Sequence, residues 1–126
     1  MPEEKSRHGF IITIRPYNDP NTKNEFVIEA LTASGEQAGD LYFIVSNVSV
    51  KIALIEVKEN WRGKRCSDDM IEKMFEMNKG KVFLSGQVNS ASYQMFLRMQ
   101  KAGLLTLSPP RPAYYEDTMW ELVPGK

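Results

Sequence analysis

The stretch EVKENWRGKRCS, residues 56–67, places three cations, Arg62, Lys64 and Arg65, around Gly63 and then runs into a segment with helical periodicity. The first N–H groups of a helix lack intrahelical partners and lie at the positive end of its dipole, so cations added there make an anion site suited to phosphate. A solvated basic strand-to-helix turn has the same composition, and both readings stand at this point. Two carboxylates, Glu56 and Glu59, precede the cations. Either could take a proton as a general base if burial raised its pKa, and either could be an exposed charge near a strand end. Cys66 at a helix start beside an arginine has a reason to ionise readily, or it is a small filler. Further on, Asn89 stands before a second helical segment, where it suits a turn or a cap. Tyr93 follows inside that segment as an aromatic that can pack.

The elements that must position these residues follow from period and punctuation. Residues 9–17 are β-branched and apolar between Gly9 and Pro16, and read as a strand. Residues 18–24 are dense in turn formers. Segments 25–35, 36–47 and 48–57 read as three further strands with short connections, which predicts an antiparallel meander. The period then changes. Met70, Ile71, Met74, Phe75 and Met77 fall three and four apart, which predicts a helix over 67–78 with Ser67 as its cap, Asp68 and Asp69 in its first turn and Gly80 as its stop. A strand over 81–88, a helix over 90–102 with Ala91, Met95, Met99 and Ala102 on one face, a short strand over 104–108 and a last strand over 114–123 with Trp120 buried complete the order β-β-β-β-α-β-α-β-β.

Composition narrows the function classes. The 126 residues fit a single domain, 1–126. Sixteen Lys and Arg balance sixteen Asp and Glu, so the basic excess of a general nucleic-acid binder is absent. One cysteine, Cys66, permits no internal disulfide and fits a reducing compartment, so a cytoplasmic location is expected. One histidine, His8, with one cysteine argues against a zinc site of the usual nitrogen and sulfur type and against a Ser-His-Asp or Cys-His centre. No apolar run is long enough to span a bilayer, and the N-terminal MPEEKSRHGF lacks an apolar signal core.

VKENWRGKRCS, 57–67, followed by VFLSGQVNSASYQMFLRMQKAGLL, 82–105, resembles the GNAT superfamily of N-acetyltransferases. Val57, Trp61, Arg62, Gly63 and Lys64 match that family's loop, and Val82, Leu84, Asn89 and Gly103-Leu104 resemble its next strand and helix. The resemblance implies an α+β fold with a mixed, mostly antiparallel twisted sheet, two main helices and reduced N-terminal helices, since only 18–24 separates the first two strands. It also implies acetyl-CoA as cofactor, held by Val57, Arg62, Gly63, Lys64, Arg65, Cys66, Ser67 and Asn89, with Glu56, Glu59 and Tyr93 as catalytic candidates and an amine as acceptor. Three departures stand out. Arg65 occupies a motif glycine, Cys66 replaces an aliphatic residue, and the family's tyrosine falls on Phe96 or Met99 depending on the end counted from. Two functions therefore compete: an acyl-CoA-dependent N-acyltransferase, and a degenerate GNAT-fold module for protein–protein contact with a partner chain or a second copy.

Overall fold

The computed structural model describes residues 8–17, 24–86, 90–108 and 120–125. Its elements, in chain order, are β1 (Ile11–Pro16), β2 (Glu25–Leu31), β3 (Gln37–Val45), β4 (Ser49–Val57), α1 (Cys66–Met77), β5 (Val82–Leu84), α2 (Ser90–Lys101), β6 (Leu105–Ser108) and β7 (Glu121–Pro124). The predicted order holds throughout. A single 3-10 turn, Glu59–Trp61, is added between β4 and α1. The seven strands form one sheet in the order β1-β2-β3-β4-β5-β7-β6. All neighbours are antiparallel except β4 and β5, which run parallel on either side of α1.

β1 to β4 form the expected meander, with their apolar residues alternating. Ile28 and Ala30 of β2, Leu41 and Phe43 of β3, and Val50 and Ile52 of β4 join one core with Met70, Ile71, Met74 and Phe75 of α1. Fully burying each such large apolar side chain is worth about 1.5–3 kcal/mol, so this helix face fixes α1 on the sheet. Gly39 in β3 makes the close approach work: a Cβ there would lie 2.7 Å from the Glu56 carbonyl oxygen and 3.2 Å from both Cys66 Sγ and Met70 Cε. α2 contributes buried Phe96 and Met99.

Several local expectations are corrected. α1 begins one residue early, at Cys66, and its N-cap is Arg65 in the left-handed region, with no side-chain capping bond. Ser67 is inside the helix and buried. The helix stops at Asn78, whose side chain donates to the Met74 carbonyl at 2.9 Å. Met77 is 41% exposed, and Ala102 is also exposed. Trp120 is half-buried, and the last strand is shorter than predicted. Residues 114–119 of that prediction and the Ala91 side chain lie outside the described residues.

Candidate functional site

β4 is nine residues long, yet β5 pairs only with its first three, Ser49, Val50 and Lys51. Gly86, at φ 73°, closes the contact: a Cβ there would sit 2.2 Å from the Ile52 carbonyl oxygen. Beyond it the strands separate. Among the described residues, no strand covers that edge of β4 from 53 to 57. Backbone groups alternate direction along a strand, so the uncovered edge offers amides and carbonyls to the gap. The register between β3 and β4 also slips here, pairing Tyr42 with Leu54 and Phe43 with Ile52, so Ala53 bulges out.

The gap opens into a cleft of about 890 Å³. Ile55, Glu56 and Val57 of β4 form one wall, and Ser92, Gln94, Met95 and Arg98 of α2 form the other. The floor continues through Arg62 and Gly63 to the start of α1 at Arg65, Cys66 and Ser67. The loop is well braced. The Trp61 indole donates to Glu36 at 2.7 Å, its ring packs edge-on against Phe10, and the Arg62 Nε donates to the Val57 carbonyl at 3.0 Å. Gly63 and Arg65 both take positive φ, 77° and 67°.

Cations and carboxylates meet at the head of α1. Arg98 donates to Asp68 at 3.0 Å from across the cleft, and Arg65 lies 3.4 Å from the other Asp68 oxygen. Asp69 is held by His8, whose backbone N–H donates at 2.9 Å and whose Nδ1 lies 2.5 Å from the second oxygen. The two acids in the first turn of α1 are thus paired with cations or hydrogen-bonded, and they do not stand as bare charges against an incoming anion.

Of the residues singled out from sequence, Glu56, Val57, Arg62, Gly63, Arg65, Cys66 and Ser67 come together around the cleft. Lys64 and Glu59 are exposed near it without lining it. Tyr93 stacks on Trp120 with ring centroids 5.7 Å apart and does not line the cleft. Asn89 lies outside the described residues. Cys66 behaves opposite to the helix-start expectation: burial, with Asp69, Asp40 and Asp68 close by, pushes its thiol up to about 12. It fills space under Gly39. Sequence reasoning missed Asp40, which lines the cleft opposite Glu56, and Arg98, which spans it. Only the strand register and the packing of α2 reveal either.

This fold is shared with solved structures of other proteins. A protein of Klebsiella pneumoniae assigned as an acyl-CoA N-acyltransferase superposes with a TM-score of 0.70 at 10% identity, over 95% of this chain and 100% of the other. The chain has the GNAT fold. Ard1 of Thermoplasma volcanium matches with a TM-score of 0.55 at 16% identity, over 89% of this chain and 97% of its own. Nourseothricin acetyltransferase matches at 0.54 and 14% identity, over 98% and 91%. No protein-family model matches the sequence, and no curated protein is significantly similar to it. Among the described residues no helix is long and apolar enough to cross a membrane.

Proposed function

We propose that this chain is an acyl-CoA-dependent N-acyltransferase that uses acetyl-CoA and an amine acceptor. The observation that carries the reading is the uncovered edge of β4, which leads along the cleft to a cationic loop and the head of a helix. An extended chain bearing amides can pair with such an edge as an added strand does. A pyrophosphate fits the end of the cleft, where Gly63 and Arg65 turn the backbone and Arg62, Arg65 and Arg98 supply cations.

The coenzyme supplies a thioester carbonyl. The chain's own contribution is to fix that group beside an acceptor amine, to donate backbone N–H groups from β4 to developing negative charge, and to remove a proton. Of the two carboxylates singled out from sequence, Glu56 lines the cleft wall, whereas Glu59 stands off it. No α2 tyrosine lines the cleft among the described residues, so the proton received by the leaving sulfur comes from another source. That absence favours the second reading, a GNAT-fold module without catalysis that contacts another protein.

A thermal-unfolding titration with acetyl-CoA, with CoA and ATP as controls, separates the two. At about one hundred times the dissociation constant a specific ligand stabilises the fold by roughly 2.7 kcal/mol. A shift specific to CoA compounds supports the transferase. A flat result at millimolar ligand rejects it in favour of the contact module.

A further inference from the structure

The β1–β4 meander has two faces, and α1 covers only one. Gly39 looks toward Cys66 and Met70 on α1, so its neighbour Asp40 looks the other way. On that opposite face, the register sets Glu29 of β2 directly across from Asp40 of β3, and Asp40 directly across from Glu56 of β4. Three carboxylates thus stand side by side across three strands, about 4.8 Å apart from strand to strand. Like charges directly opposite one another destabilise a sheet, so folding alone gives no reason for the row. Glu29 is offset by Arg15 at 2.8 Å. Among the described residues, the Asp40 carboxylate receives only the Tyr42 hydroxyl, at 3.3 Å. Glu56 has no hydrogen bond or ion pair among the described residues, and it lines the cleft together with Asp40.

We propose that Asp40 is the proton acceptor of the transferase, and that Glu56 beside it selects an acceptor amine carried on a molecule with a further positive charge. The inference rests on the acyltransferase reading. An acceptor of this kind arrives as an ammonium. Asp40 takes one proton from the nitrogen and passes it to solvent. The freed lone pair forms the C–N bond to the thioester carbonyl, the C–S bond breaks toward sulfur, and the second proton shed by nitrogen ends on the departing thiol. Glu56 remains to neutralise the acceptor's other charge.

The surroundings of Asp40 suit the task. Burial pushes its pKa up, and Glu56 and Glu29 push the same way, while the Tyr42 hydrogen bond and Lys58 pull it down. Arg15 stands behind Glu29, Arg62, Arg65 and Arg98 line the same cleft, and the buried Cys66 thiol lies on the other face of the sheet. A base moved from the usual aspartate range toward the working pH is the more effective one.

The test follows thiol release from acetyl-CoA by the full chain, with spermidine and with benzylamine as acceptors. Spermidine is expected to react at least tenfold more efficiently than benzylamine, and Glu56→Gln to erase most of that preference. Asp40→Asn is expected to lower kcat by about a hundredfold and to remove the acid limb of the kcat/KM profile, with acetyl-CoA affinity within twofold of wild type. Asp40→Glu is expected to keep the limb. A stability readout runs alongside. Because the folded pKa is raised, stability from the neutral carboxyl is complete below the unfolded value and is lost as pH rises through the folded one. Asp40→Asn should therefore raise Tm at pH 7 and leave it unchanged near pH 3. An unaltered kcat or acid limb in Asp40→Asn, a preference for benzylamine, or no turnover of either amine by a protein that binds acetyl-CoA overturns the inference alone. A flat acetyl-CoA titration overturns the acyltransferase reading and this inference with it.

Discussion

Arg65→Gly separates what the backbone of the loop does from what its side chain does. Arg65 sits at φ 67°, ψ 21°, a conformation that costs a residue with a Cβ roughly 1–2 kcal/mol. Glycine removes that cost. It also loosens the unfolded chain, which takes back about 0.4–1 kcal/mol. The lost ion pair with Asp68 is 3.4 Å long and its arginine is 42% exposed, so it returns about 0–1 kcal/mol. The terms sum to between about 1 kcal/mol of destabilisation and about 1.6 kcal/mol of stabilisation, centred on a gain of a few tenths, so Tm should move by no more than about 6 °C. Ligand affinity should move the other way. The arginine already holds the turn a glycine would take, so its removal frees no backbone amide and subtracts one cation from the cleft. Loss of a single charge-assisted contact of about 1.5 kcal/mol weakens acetyl-CoA binding about tenfold. Differential scanning fluorimetry for stability and isothermal titration for affinity read both effects on one preparation. A fall in Tm of more than a few degrees would refute the strain argument. Unchanged or tighter binding would refute a phosphate contact by Arg65 and leave the backbone as the anion site.

Gly39→Ala is expected to destabilise by about 1–3 kcal/mol, because its Cβ meets backbone at Glu56 as well as Cys66 and Met70 and the overlap cannot be relieved by a side-chain rotation; urea unfolding measures it, and a change under 0.5 kcal/mol would mean that β3 and β4 shift freely. Cys66, buried and with its thiol pushed up to about 12, should resist a disulfide reagent such as DTNB at pH 8 in the native protein and react at once in urea. Rapid native labelling would show that the start of α1 opens readily.

The order of elements was legible because period and punctuation changed where the structure changes. Apolar residues alternate through 25–57 and then fall three and four apart from Met70 to Phe75, and the sheet and α1 appear where those patterns lie. The cationic loop was legible for the same reason, since its residues are adjacent in the chain. Long-range pairing was not legible. Asp68 and Asp69 read as first-turn acids, but their partners, Arg98 thirty positions away and His8 sixty-one away, do not show in the sequence. Ser67 reads as a helix cap by residue type, but the left-handed turn at Arg65 starts α1 earlier and carries the serine inside. Tyr93 reads as a proton donor or as a packing aromatic, and its ring packs on Trp120.

The acidic row shows why register matters more than composition here. Glu29, Asp40 and Glu56 are scattered in the chain, and simple counting does not align them. Their alignment depends on two irregularities: Ala38 is unmatched between the Leu31–Gln37 and Ala30–Gly39 pairs, and Ala53 is unmatched between the Phe43–Ile52 and Tyr42–Leu54 pairs. Without either extra residue, the register counted from that hairpin would slip by one and its two carboxylates would not stand opposite each other. The connection 17–24 has a related consequence, because it is too short to lay two helices over the meander. The carboxylate face is therefore left uncovered by helices among the described residues, and Asp40 and Glu56 carry it into the cleft. An acceptor would then meet charge set directly on the strands.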